Sequence, residues 1–335
     1  MHTPAGVAID PWRLELVVVG ASARTSTERA AISRDVERGR LLRVIPRAYV
    51  ERDAFESLSP EQQHLVRIRA ASATAPEPLV VSHWSAAVLH GLPVLRSRLL
   101  DVHVVVSPGL DRRRAGLAFH ALALSDAEVT GPADLRATTL PRTVVDVASA
   151  TALEEGVLAV SAALMRGIPR EVLESAADRA AERRGSRRIA DAVAMGHPGA
   201  ESAAESRAWV SLMRSGFAVP ELQHEMHLSR GGRASLDALL RRERVGIEVD
   251  GEQKYLDPSM APDGAGRAVL REKRREDEVR LGLRALVRPG WQQSGSASAM
   301  RALLGSVGVV PTNPPTPFAA YCEAARAARP RPLPR

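Results

Sequence analysis

Apolar and polar positions alternate with a period of two in Ala234–Leu240 and again in Val245–Val249, on either side of a charged turn, Arg241–Arg244. That pattern predicts a β-hairpin. With the turn at its tip, Leu236, Ala238, Leu240, Val245, Ile247 and Val249 share one face, and the opposite face is polar. Earlier in the chain, Thr25 or Ser26 caps a helix that runs through Glu28–Arg38, Gly39 punctuates it, and Leu41–Val50 reads as one extended segment. Pro60 opens a helix with Leu65, Ile68 and Ala71 on one side. Ser82 caps a short helix ending at Gly91. Val102–Val106, Leu117–Ala123 and Arg136–Thr139 read as strands, Pro141 opens another helix, and helices continue to about residue 192. Gly196–Ala200 has the composition of a linker. Beyond it come a helix over Ser206–Gly216, a lead into a first strand at Pro220–Leu228, a helix at Leu270–Arg280, and a strand at Leu283–Arg288. Pro311–Pro317 and Arg329–Arg335 are proline-rich and read as disordered.

The chemistry concentrates on the polar face of the hairpin. Folded at Arg241–Arg244, the chain places Asp237 opposite Glu248, with Asp250 two residues further along the same face. Like charges directly opposite across a hairpin are destabilising, so three carboxylates on one face call for a compensating cation. Hard oxygen ligands suit Mg²⁺ or Mn²⁺. Pairing of Asp237 and Asp250 with a neighbouring arginine, such as Arg274 or Arg275, is the structural alternative.

Asp237, ten intervening residues, then Glu248-Val-Asp250-Gly-x-x-Lys254 resembles the PD-(D/E)xK nuclease superfamily, closest to its very-short-patch-repair-like branch and the related domain of unknown function five-five-nine. The resemblance covers roughly residues 200–295. It implies a helix-borne acid before the hairpin, matched by Glu205, and a helix of basic and acidic residues after it, where Glu272, Lys273 and Arg275 stand. It also implies Mg²⁺ or Mn²⁺ on Asp237, Glu248 and Asp250, and catalytic roles for Asp237, Glu248, Lys254, Glu205 and Lys273. Arg288, at the end of the last strand, would lie near DNA phosphate. Two positions depart from the family. The usual Lys two residues after the Glu is Asp250, and Lys254 stands where the related domain often has His.

Helix, Gly39, then Leu41-x-Arg43-Val-x-x-x-x-Tyr49-Val50 resembles the wing of the winged helix-turn-helix in AbiEi-family antitoxins of type IV toxin–antitoxin systems. That resemblance implies DNA binding, with Arg34, Arg38, Arg40, Arg43 and Arg47 serving phosphates, and a cognate toxin as a partner. The expected architecture is α+β and multidomain. It comprises a winged-helix-like unit at 1–80, an antitoxin-like mixed α/β domain at 81–198, a restriction-endonuclease-like α/β domain with a central mixed sheet at 199–305, and a proline-rich tail at 306–335.

Composition adjusts this picture in three ways. The net charge of +7 fits a polyanionic partner, although an arginine-rich coding bias gives the same sum. The single cysteine, Cys322, rules out an intramolecular disulfide and a multi-cysteine zinc site. The most apolar early stretch, Leu14–Gly20, is too short to span a bilayer, and no cleavable leader pattern opens the chain, so the expectation is a soluble, cytoplasmic protein. His83 and His90, with His103 and His120, raise the question of a metal site. No carboxylate joins them at ligand spacing, which favours packed or hydrogen-bonded histidines. His224 and His227 would face opposite sides of an extended segment. Asp146, inside an apolar helix, reads as a structural hydrogen-bonding residue.

Two functions are consistent with all of this. One is a DNA-binding protein with a metal-dependent endonuclease domain that hydrolyses phosphodiester bonds. The other is a non-enzymatic antitoxin-like repressor with a degenerate nuclease fold.

Overall fold

In a computed structural model the chain is a mixed α/β protein of two units, Met1–Asp146 and Val147–Arg335. The structure describes residues 9–19, 25–106, 114–132, 135–200, 202–228, 231–250 and 278–328.

The first unit holds β1 (Val17–Val18), α1 (Ser26–Glu37), β2 (Leu41–Ile45), β3 (Ala48–Glu51), α2 (Arg52–Glu56), α3 (Pro60–Thr74), β4 (Val80–Val81), α4 (His83–Leu89), β5 (Val102–Val106), β6 (Leu117–Ala121), β7 (Val129–Thr130), β8 (Arg136–Thr138) and most of α5 (Leu140–Ala150). α1 starts in a capping box: the Thr25 hydroxyl accepts from the Glu28 N–H, and the Glu28 carboxylate accepts from the Thr25 N–H. Gly39, at φ +75°, turns the chain out of the helix.

The segment read as one extended strand, Leu41–Val50, is instead the hairpin β2–β3, paired Leu42↔Val50 and Arg43↔Tyr49. Pro46 cannot donate to a ladder, and Arg47 takes a left-handed φ of +69°, so the chain reverses there. β1, β3 and β2 form one sheet, and a second, mixed sheet has the order β6-β5-β4-β8-β7.

A single apolar cluster joins Ile45, Ala48, Ile68 and Ala71 to Val81, Val102, Val104, Leu117 and Ala137. Residues on both sides of the boundary expected at 80/81 therefore bury against one another. Such a core is the mark of one domain rather than two.

The second unit begins with α6 (Leu153–Met165), α7 (Arg170–Arg179), α8 (Ser186–Met195) and α9 (Ala203–Ser215). The 196–200 stretch, expected as a linker, lies inside this unit. His197 is 3 % exposed, its N–H donates to Ser161 Oγ at 3.0 Å, and the Trp209 indole donates to the Met195 carbonyl at 3.0 Å.

The sheet follows: β9 (Glu221–His227), β10 (Arg233–Leu240), β11 (Val245–Ile247) and β12 (Ala285–Val287), in the order β12-β11-β10-β9. β9, β10 and β11 are antiparallel neighbours, and β12 runs parallel to β11. Residues 278–282 are helical between β11 and β12.

Three short helices close the unit: α10 (Trp291–Ser294), α11 (Ala297–Ser306) and α12 (Phe318–Ala327). α12 corrects the expectation of a disordered tail from 306 onward. Tyr321 is 0 % exposed, its hydroxyl donates to the Phe217 carbonyl at 3.1 Å, and its ring lies 4.9 Å from that of Trp209. Tyr321 and Ala325, one helical turn apart, give this segment a buried face that its flanking prolines obscure. Residues 329–335 fall outside the described set.

Candidate carboxylate site and basic surface

The hairpin register is Ala238↔Ile247, Leu239↔Gly246 and Leu240↔Val245. The pairing ends one residue short of Asp237 and Glu248, and Asp237 lines a cavity with Ala238, Ile247 and Val249. All six residues expected on the apolar face are buried or half-buried. Leu239 is buried as well, in one cluster with Leu236, Ala234 and Val279. A strict period of two separates Leu236 from Leu239. The break coincides with Gln223 on the neighbouring strand, whose φ is +48°. Both sides of the hairpin are thus covered, one by α9 and the other by the 278–282 helix and Leu283.

Asp237 Oδ2 accepts a hydrogen bond from the Val249 N–H at 2.7 Å. The chain past β11 stays beside the end of β12: the Glu248 N–H donates to the Val287 carbonyl at 3.1 Å, and the Asp250 N–H to the Pro289 carbonyl at 3.2 Å. Glu248 faces Arg288, whose Nε and Nη2 donate to the same carboxylate oxygen at 3.2 and 2.8 Å. Among the described residues Glu248 pairs with Arg288, while Arg274 and Arg275, the partners expected for Asp237 and Asp250, lie outside them.

Glu205 sits in the first turn of α9, where acids are stabilised by the helix dipole. The cap residue, Ser202, accepts from the Glu205 N–H at 3.1 Å and donates to Glu205 Oε1 at 2.8 Å. Glu205 and Asp237 line one small cavity with His197, Trp209, Gln223 and Val249. The structure so brings Glu205 to Asp237, while Glu248 is engaged with Arg288. Among the described residues no three His, Cys, Asp or Glu side chains are gathered as a metal cluster. Lys254, Lys273, Glu272 and Arg275 lie outside the described residues.

His197 is the cavity residue that the sequence reading passed over, because it stood in an apparent linker. Burial, aided by the Arg170 charge, pushes its pKa down to about 3. The Gly199 N–H donates to its Nδ1 at 3.3 Å, which assigns the proton of the neutral ring to Nε2.

The arginines of the first unit divide into two groups. Arg40 pairs with Asp35, and Arg47 donates to the Thr74 carbonyl, so both are tied into the fold. Arg34 and Arg38 on α1 and Arg43 on β2 are exposed, and among the described residues no carboxylate pairs with them. Arg29, which the sequence reading did not single out, is exposed on α1 in the same way. Ile32 is the one buried residue of α1, so nearly the whole helix faces solvent.

The histidines pack and hydrogen-bond. The His83 and His120 rings stack at 3.6 Å, and His103 Nδ1 lies 2.8 Å from His120 Nε2. His83 takes a φ of +48°, with its Nδ1 3.0 Å from the Ser82 hydroxyl. His90 points elsewhere, onto the Thr138 carbonyl at 2.7 Å. Asp146 accepts from Arg142 Nε at 2.9 Å inside the core.

Comparison with known proteins gave no matching family model and no matching curated protein. No described helix is long and apolar enough to cross a membrane.

Proposed function

We propose that the chain is a nucleic-acid-binding protein whose second unit carries a Mg²⁺- or Mn²⁺-dependent phosphodiester hydrolase site of the endonuclease type. One observation carries the reading: a helix bearing Glu205 leads into an antiparallel β9–β10–β11 array with Asp237 on β10 and Glu248 just past β11, followed by a helical segment and a parallel β12. That order agrees with what the nuclease resemblance implied.

The donor chemistry fits a hard divalent ion. Asp237 and Glu205 share a cavity, and Glu248 lies just past β11, the strand paired with β10 that carries Asp237. Asp237, Glu248 and Glu205 would hold the ion, with Asp250 beside them. Such an ion polarises a phosphoryl oxygen and lowers the pKa of a bound water. Lys254 or Lys273 would supply the positive charge that meets developing charge on the phosphate. Arg288 would bind a neighbouring phosphate. The exposed Arg29, Arg34, Arg38 and Arg43, with the net charge of +7, support binding of a polyanion by the first unit.

The experiment is cleavage of supercoiled plasmid and of labelled single- and double-stranded oligonucleotides with Mg²⁺ or Mn²⁺, wild type beside Glu248→Ala. Nicking that disappears in the variant supports the hydrolase. A second reading, a non-enzymatic antitoxin-like repressor with a degenerate nuclease fold, is favoured by Asp250 at the position of the family's usual Lys. Its outcome is tight, salt-dependent duplex binding by both proteins without cleavage.

A further inference from the structure

We propose that Arg288 is a phosphate-responsive latch on Glu248: its guanidinium holds the carboxylate when no nucleic acid is bound, and yields it to the metal ion when a phosphate takes the guanidinium. The proposal rests on the metal-dependent reading above.

Arg288 donates through both Nε and Nη2 to a single oxygen of Glu248. The same pair of donors is the one that meets a phosphate side-on. One guanidinium edge cannot serve both partners in full. The pair is also accessible, with side-chain exposures of 36 % for Arg288 and 22 % for Glu248. Ion pairs this open contribute on the order of 0–1 kcal/mol, so a phosphate that brings its own charge can displace the carboxylate.

The backbones on both sides are fixed. Glu248 and Asp250 donate to the carbonyls of Val287 and Pro289, which flank Arg288. The exchange is therefore a change of side-chain rotamer and needs no movement of the sheet. It would free Glu248, just past β11, for an ion held by Asp237 on the paired strand β10.

Linkage then gives a quantitative expectation. If phosphate and metal each take one half of the same ion pair, each strengthens the binding of the other by the same factor.

The test is calorimetric titration of Mn²⁺ into the full chain, with and without a saturating nuclease-resistant phosphorothioate duplex. It uses wild type, Arg288→Gln, Arg288→Lys and Glu248→Ala, each first checked for an unchanged circular dichroism spectrum. In wild type the duplex should tighten Mn²⁺ binding by up to about fivefold, the factor to which an ion pair worth about 1 kcal/mol corresponds. Arg288→Gln should bind Mn²⁺ more tightly than wild type without duplex, and the duplex should no longer change that affinity. Arg288→Lys, which keeps the charge but loses the fork, should fall between them. Glu248→Ala should bind Mn²⁺ weakly throughout.

Equal Mn²⁺ affinity in wild type and Arg288→Gln, each lost in Glu248→Ala, overturns the latch and leaves the metal site standing. Absence of Mn²⁺ binding in every protein overturns the metal-dependent reading, and the latch with it.

Discussion

At the scale of single residues, Asp237 is the most informative side chain. Its carboxylate accepts from the Val249 N–H, and an asparagine carbonyl oxygen can accept that bond equally well. Asp237→Asn should therefore keep stability within about 1 kcal/mol of wild type, as expected for a retained hydrogen bond. Mn²⁺ binding should be lost. Calorimetry beside urea unfolding checks both, and undiminished Mn²⁺ affinity would remove Asp237 from the site.

The buried histidines make a different prediction. Burial holds His64 at about 4 and His197 at about 3, against 6.5 when exposed. Above pH 6.5 both are neutral whether folded or unfolded, and stability does not respond. Below it the unfolded chain takes up protons that the folded chain refuses. Stability should fall by up to about 1.4 kcal/mol per pH unit for each histidine, flattening as pH drops through the folded values. Urea midpoints at pH 7, 6 and 5 measure this. A flat series would show that these rings are not held neutral by burial.

At the scale of elements, the hairpin was almost entirely legible. Turn and register follow from a period of two acting over a dozen residues. The burial of Leu239 was not legible, because the residues that cover it, Val279 and Leu283, come from a later segment. The reversal at Pro46–Arg47 was missed for another reason. Arg47 is not a residue type that announces a left-handed turn. Glycine at 246 shows how closely the sheet is covered. A Cβ there would lie 2.7 Å from Leu283 Cδ1 and 3.1 Å from both Leu236 Cδ1 and Leu286 Cδ1. Gly246→Ala should cost about 1–3 kcal/mol by overpacking. A midpoint unchanged in chemical denaturation would mean that the layer yields freely. α12 offers a second check. Tyr321→Ala removes a fully buried ring and should cost about 3–5 kcal/mol, the range for large aromatic truncations.

At the scale of the whole molecule, the positive charge is unevenly used. Arg40 and Arg47 are engaged with Asp35 and with the Thr74 carbonyl, whereas Arg29, Arg34, Arg38 and Arg43 reach into solvent. Replacing Arg34, Arg38 or Arg43 singly by Gln should weaken duplex binding to a similar degree on unrelated sequences. Each should lower the salt slope of log K by about 1. Arg40→Gln, whose guanidinium is already paired with Asp35, should change the slope less, a contrast that fluorescence anisotropy at several salt concentrations resolves.

Short-range physics let the sequence alone determine the cap of α1, the start of α3 at Pro60, and the turn and register of the β10–β11 hairpin. A capping box spans three residues and a strand alternates every two, so each signal is complete within its own segment. Tertiary structure decided which group answers each carboxylate and which segments are buried. Glu248 meets an arginine 40 residues away, and Tyr321 bonds a carbonyl 104 residues before it. It also turned an apparent linker at 196–200 and part of an apparent tail into core. These outcomes depend on surfaces that come into contact only when the chain has folded, and no local period encodes them.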